Sequence, residues 1–379
     1  MLTKLDNPFL VSGYHSSEYF CDRARETEEL QTALQNGQNV MLTSPRRMGK
    51  TGLILHLFNR LNRLFPKSKT IYIDLFSTEN FNDFTKAFSS AVLGQLDSNP
   101  VKVLKKATTI LKGIRPSITI DEITGQTQIG ISIAQGNEIN SISQVFDYLK
   151  QSEKECYIAF DEFQQISNYP EKNVEALLRS HIQNIHNVHF IFSGSQAHLL
   201  SEMFLSPKRP FYQSSTNKSI GPIDERVYYS FADHFFKGQG RNLSEESFHL
   251  IYQRYDGHTW YLQKVLNKLY EKKSEKIDDK SVMEAIGDIL NENEFYYQAL
   301  LRAYSKGQSK LLKAVANERT VKEITSGSFI AKYGLTATSS VKSALKRLID
   351  DEIIYQDHNG YIIYDRFFRD WLEQSYRIR

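Results

Sequence analysis

Cysteine is nearly missing from this chain: Cys21 and Cys156 are the only two in 379 residues, and they stand far apart without metal-ligand spacing. That excludes a disulfide-built scaffold and a cysteine zinc site, and it points to a reducing compartment. No apolar run approaches the roughly 20 residues of a membrane span, and the amino terminus lacks the order of a secretory signal. A cytoplasmic protein with no membrane partner is therefore expected. Neither sign of charge dominates, since the net charge is only +3, which neither demands nor excludes a nucleic-acid partner. Internal repeats, low-complexity tracts and long linkers are lacking too, so domain boundaries are expected at packed junctions. What the chain does have is 40% hydrophobic residues with abundant Phe and Tyr, enough for a sizeable core spread over two or three domains.

The stretch Thr43-Ser44-Pro45-Arg46-Arg47-Met48-Gly49-Lys50-Thr51 organises the rest. It follows the apolar run Val40-Met41-Leu42 and opens a periodic segment through Leu53, Ile54, Leu57, Phe58, Leu61 and Leu64. Strand, turn and helix with Gly-Lys-Thr at the junction read as a phosphate-cradling loop. The first amides of a helix lack internal partners and face an anion, which the helix dipole also favours. Gly49 lets the backbone approach phosphates, Lys50 would reach the β- and γ-phosphates, and the Thr51 hydroxyl would ligate Mg2+. Ser44 stands where the full pattern has a glycine, and a basic turn capping an ordinary helix would look similar. A second signal decides: Cys156-Tyr157-Ile158-Ala159-Phe160-Asp161-Glu162 runs an apolar strand into two carboxylates. Asp161 can hold Mg2+ through water, and Glu162 can polarise an attacking water.

Residues 1–37 form a lead-in containing Tyr19-Phe20-Cys21-Asp22-Arg23 and an acidic helix that stops at Gly37. Thr70–Leu75 reads as a second buried strand and 82–96 as a helix. Residues 102–136 read as an inserted excursion: a basic helix, then a hairpin turning near Gly125. Helices near 142–149 and 173–185 flank the acidic strand, and Val188–Phe192 is a fourth strand that ends in Ser193-Gly194-Ser195. Ser193 and Ser195 are candidates to sense a γ-phosphate, or members of a plain turn. Arg209, before a weaker strand near 218–220, either stabilises charge in phosphoryl transfer or is an ordinary surface arginine. Alternating strands and helices argue for an α/β fold, a parallel sheet with helices on both faces and ligands beyond the carboxyl ends of the strands. From Asp224 to about Lys306 the periodicity is helical, with helices at 227–236, 244–255, 260–270 and 279–301. His258, after the glycine stop at Gly257, either faces nucleotide or serves as a cap or core residue. Helices at 309–316, 321–333 and 338–349 then precede a hairpin at Asn359-Gly360, which reads as a winged helix-turn-helix. Ser339, Ser340, Lys342, Ser343 and Lys346 would face outward, as on a DNA-reading helix. With twelve Lys and Arg against nine Asp and Glu over 307–379, a protein-docking role stays open. Three domains are expected: 1–223, 224–306 and 307–379.

Together, Phe20-Cys21-Asp22-Arg23, Pro45-Arg46-Arg47-Met48-Gly49-Lys50-Thr51, Phe160-Asp161-Glu162-Phe163, Ser193-Gly194-Ser195, Gly257-His258 and Tyr364-Asp365-Arg366-Phe367-Phe368-Arg369-Asp370-Trp371 resemble the archaeal-type ATPases. These are related to the STAND and origin-recognition-like branches of the AAA+ superfamily. The resemblance implies a P-loop NTPase core, a helical lid and a winged helix, with ATP and Mg2+ as cofactors. It implies phosphate binding by Lys50 within a nucleotide loop of Ser44, Pro45, Arg46, Arg47, Met48, Gly49, Lys50, Thr51 and Gly52. Mg2+ would fall to Thr51 and Asp161, and water activation to Glu162. Thr259 stands where the related branch has proline after Gly-His, which departs from the pattern around His258. An ATP-hydrolysing switch follows, slow or partner-stimulated if Arg209 acts between subunits of a homo-oligomer. The alternatives are a regulator that ATP licenses to load on double-stranded DNA, or an oligomeric scaffold that recruits a protein effector.

Overall fold

The computed structural model describes residues 4–96, 114–120, 127–133, 136–152, 154–273, 275–357 and 359–376. They fall into two compact units, one of the residues up to Leu5 with Leu10–Tyr228, the other of Asp6–Phe9 with Tyr229–Arg379.

In the first unit, β1 (Val40–Thr43), β2 (Lys69–Asp74), β5 (Cys156–Asp161), β6 (Val188–Gly194) and β7 (Thr216–Ser219) make one sheet in the order β2-β5-β6-β1-β7. Every neighbouring pair is parallel. Strands β5 and β6 are buried from end to end, as expected where helices cover both faces of a parallel sheet. Alternation divides their side chains. Val40, Leu42, Tyr157, Ala159 and Ile191 pack with α1 (Ala24–Gln35) and α2 (Lys50–Leu64) on one face. Met41, Ile158, Phe160, Phe190 and Phe192 pack on the other with α3 (Phe81–Leu96), α4 (Glu138–Gln151), α5 (Val174–Ile182) and α6 (Ala197–Leu205). This is the α/β sheet with helices on both faces that the alternating pattern predicts. One detail differs: β2 is an edge strand, so only Ile71 and Ile73 of it are buried.

The hairpin exists as β3 (Ile114–Ile120) and β4 (Thr127–Ile133), antiparallel from Ile114↔Ile133 to Ile120↔Thr127. Its turn near Gly125 and the basic segment before it lie outside the described residues.

The second unit carries α7 (Glu225–Lys237), which begins in the first, then α8 (Glu245–Arg254), α9 (Thr259–Glu271), α10 (Asp279–Glu292) and α11 (Glu294–Arg302). The single helix expected over 279–301 breaks at Asn293, which leaves helical geometry while its side chain donates to the Ile289 carbonyl (2.7 Å). The winged part follows as α12 (Lys306–Glu318), α13 (Gly327–Lys332), α14 (Thr338–Asp350), β8 (Ile354–Gln356), β9 (Tyr361–Ile363) and α15 (Arg366–Ser375). Helix α13 is shorter than the 321–333 span expected. Val321 instead bridges Tyr361 of the wing, and Ser326 caps the helix that starts after it. Gly360 makes that bridge possible: its φ is 141°, and a Cβ there would lie 2.5 Å from the Val321 carbonyl oxygen.

Candidate functional site

Three sequence-distant stretches meet at the carboxyl ends of β1, β5 and β6. The turn after β1 contains Arg47 at φ 67° and Gly49 at φ 91°, both left-handed, and delivers the chain into α2 at Lys50. Successive amides in such a turn form an anion-binding concavity. Lys50 is 7% exposed. Its Nζ donates to the Ser44 carbonyl (3.2 Å) and the Ser44 hydroxyl (3.1 Å), so the serine in the glycine position serves as a resting partner for the lysine. Burial lowers the Lys50 pKa; the nearby Glu162 and Asp161 carboxylates oppose that shift, and Arg46 adds to it. The ammonium is thus desolvated and only partly compensated, a state that an added anion would relieve.

Asp161 closes the other side. Its Oδ2 accepts from the Thr51 hydroxyl (2.8 Å) and the Tyr72 hydroxyl (2.7 Å). Its Oδ1 accepts from the Ser193 hydroxyl and the Glu162 amide. The adjoining Thr51 hydroxyl and Asp161 carboxylate form an all-oxygen pair. This suits Mg2+, which takes one or two protein oxygens and completes its shell with phosphate and water. Among the described residues there is no cluster of three or more His, Cys, Asp or Glu that could hold a metal.

Glu162 sits at φ 53°, a left-handed backbone that costs about 1–3 kcal/mol outside glycine and persists only where the surroundings enforce it. Here they do. Its Oε2 accepts from the Ser195 amide (3.2 Å), the Ser195 hydroxyl (2.8 Å) and Gln164 Nε2. Arg46 Nε donates in turn to the Ser195 hydroxyl (2.9 Å), linking the phosphate-type loop to the tip of β6. Pro45, Met48 and Gly52 complete the loop and the first turn of α2, with Met48 buried beneath it.

Arg209 and His258 have partners of their own. Arg209 donates to Ser167 (3.1 Å) and pairs with Glu175 and Glu202, none of them part of this cluster. His258 belongs to the second unit, where its Nδ1 donates to the Tyr255 carbonyl (3.1 Å) at the start of α9. Conversely, Tyr72 and Gln164 were not singled out from the sequence. Burial, and then the Asp161 charge, push the Tyr72 phenol's pKa far up, so it remains a donor to Asp161.

Residues 20–265 match the family model of the ATPase domain predominantly from Archaea, and residues 295–374 match a winged helix domain. Among solved structures, the chain is similar to a Walker-type ATPase of Pyrococcus abyssi, at 18% identity and a TM-score of 0.65, over 97% of this chain and 99% of that one. It is also similar to the ORC2 protein of Aeropyrum pernix in ADPNP–ADP complexes, at 16% identity and 0.56, over 94% and 95%. The ORC1 protein of the same organism, in complex with DNA, is similar at 13% identity and 0.55, over 98% of each chain. No curated protein matches.

Proposed function

The chain belongs to the family of ATPase domains found predominantly in Archaea, with a winged helix domain behind it, and on that premise we propose that it is an Mg2+-dependent ATP-hydrolysing switch. The observation that carries this reading is the direct meeting of Thr51 with Asp161 (2.8 Å), beside a buried Lys50 and a braced Glu162. Lys50 and the amides at the start of α2 bind the β- and γ-phosphates. In exchanging Ser44 for phosphate, the ammonium recovers the compensation that burial denies it. Thr51 and Asp161 would hold Mg2+, which when bound supplies charge neutralisation on the phosphates. Glu162, fixed through Oε2, uses its other oxygen to accept a proton from the attacking water. Ser193 holds Asp161 in place, and Ser195 and Arg46 do the same for Glu162. Arg209, engaged by Glu175 and Glu202, acts only on a neighbouring copy or not at all.

Replacing Lys50 by Ala should abolish ATP binding measured by titration calorimetry. Glu162→Gln should keep binding and lower turnover by roughly 10²–10⁴-fold. Unchanged turnover in both variants overturns the assignment.

A second reading, ATP-licensed DNA binding, is favoured by the outer face of α14. Ser339, Ser340, Lys342, Ser343 and Lys346 are all exposed there. A groove of about 440 Å3 between the first turns of α12 and α14 is lined by Ser305, Ser339, Ser340 and Ser343. Two helix amino termini and their hydroxyls suit a phosphate backbone. The similar Aeropyrum ORC1 was seen in complex with DNA.

A further inference from the structure

We propose that Arg23, remote in sequence from the phosphate loop, is a positioning residue of that loop: its guanidinium fixes the Met48–Gly49 peptide so that the Gly49 amide is presented to the phosphates. The proposal rests on the nucleotide reading above and deepens it.

Arg23 is 3% exposed and has a left-handed backbone (φ 61°) just ahead of α1. Its Nη2 donates to the Met48 carbonyl (3.2 Å) and to the Gly221 carbonyl (2.7 Å), and its Nη1 donates to Glu26 (2.8 Å). The Arg23 carbonyl accepts from the amide (2.8 Å) and the hydroxyl (2.6 Å) of Thr27. The guanidinium is therefore anchored by its own helix and reaches outward to two carbonyls.

A trans peptide is planar, with its C=O and N–H pointing in opposite directions, and no described peptide is cis. Holding the Met48 carbonyl toward a buried guanidinium turns the Gly49 N–H away from the interior, to the side from which a ligand arrives. Glycine cannot enforce this itself. At φ 91° Gly49 has no Cβ to oppose a flip of the preceding peptide, and a flip would aim a carbonyl at the phosphates. Arg23 supplies the missing restraint. The same Nη2 grips Gly221, just beyond β7, and β7 pairs with β1, so the loop is braced against the strand beside its own. A lysine could not do this, because its ammonium is a point charge on a flexible stem without the planar fork.

The test uses the full chain as Arg23→Lys, with Arg23→Gln as a second variant and Glu26→Gln as a control that keeps the contact to Met48. ATP affinity with Mg2+ is measured by calorimetry, and backbone hydrogen exchange is followed without nucleotide. Both Arg23 variants are expected to lose ATP affinity by about tenfold, the scale of one charge-assisted hydrogen bond. Exchange should quicken across 44–51 and stay slow in β5 and β6, while Glu26→Gln stays near wild type. Unchanged affinity overturns the proposal. So does a loss accompanied by faster exchange throughout the unit, or failure of both variants to fold, since Arg23 would then be merely structural. Wild-type protein that binds no ATP overturns the nucleotide reading itself, and this assignment with it.

Discussion

Glu162 is held by a neighbour that a single methyl group would displace. A Cβ at Gly194 would stand 2.0 Å from Gln164 Oε1 and 3.1 Å from its Cδ. The backbone at 194 is not left-handed, so Gly194→Ala leaves β6 intact and moves only the glutamine. Gln164 then releases Glu162, which keeps its bonds to Ser195. The expected outcome is ATP binding within twofold of wild type and turnover lowered by about tenfold, the worth of one charge-assisted bond that fixes the carboxylate. Steady-state hydrolysis beside a binding titration decides it, and equal turnover removes Gln164 from the account. Lys50, Thr51, Asp161 and Glu162 were legible beforehand because each sits in a short motif at a strand end. Tyr72 and Gln164 were not. Tyr72 reaches Asp161 only because β2 lies beside β5, and Gln164 matters only because β6 ends at a glycine that leaves it room. Both facts belong to strand order, which no local pattern encodes.

At the scale of elements, α15 is held by buried charge as well as by the apolar contacts of Phe367, Phe368, Trp371 and Leu372. Asp370 is 1% exposed and accepts from Arg254 Nε (2.7 Å), the Tyr255 hydroxyl (3.2 Å) and Arg369 (2.8 and 3.0 Å), tying α15 to α8. Burial, and then the Asp370 charge, push the Tyr255 phenol's pKa well above its usual value, which keeps it a donor. Asp370→Ala would leave the buried Arg369 and the half-buried Arg254 without their shared counter-charge, at a cost of about 3–5 kcal/mol to the second unit. Denaturant unfolding followed by Trp260 and Trp371 fluorescence should show that loss, while ATP binding in the first unit persists. A loss below about 1 kcal/mol would show that the apolar contacts of Phe367, Phe368 and Leu372 hold the helix unaided. The burial of both faces of α15 is what the sequence pattern does not carry. Phe367, Phe368, Trp371 and Leu372 keep a helical apolar spacing, but Arg366, Arg369 and Asp370 on the opposite face are buried as well, which no amphipathic pattern predicts. Where apolar spacing was continuous, as in β5, β6 and α14, the pattern sufficed; α13 and the break at Asn293 depend on capping and wing pairing instead.

For the whole molecule, three clues scattered from Ser44 to Ser195 could be referred to one place because parallel α/β sheets gather ligands at the carboxyl ends of their strands. That rule places the proposed nucleotide site but says nothing of a partner for the second unit. Composition gives little help, since the net charge is only +3 and no helix among the described residues is long and apolar enough to cross a membrane. The arrangement of charge is more telling than its sum. On α14, Lys342 and Lys346 are exposed together with three serines. Arg347 of the same helix is tied to Asp351 (2.8 Å). A duplex lying on this face would release counterions at both lysines, and each phosphate contact steepens the dependence of log affinity on log salt by about 0.9. Binding to double-stranded DNA, followed by fluorescence anisotropy across a salt series with ATP present, should therefore weaken steeply. The double variant Lys342→Glu and Lys346→Glu should bind more weakly and flatten the slope by about two. If ATP licenses the contact, Lys50→Ala should bind the duplex like the wild type without nucleotide. An unchanged slope in the charge-reversed variant would free α14 of DNA, and its serine-lined groove would then have to be explained by a protein partner.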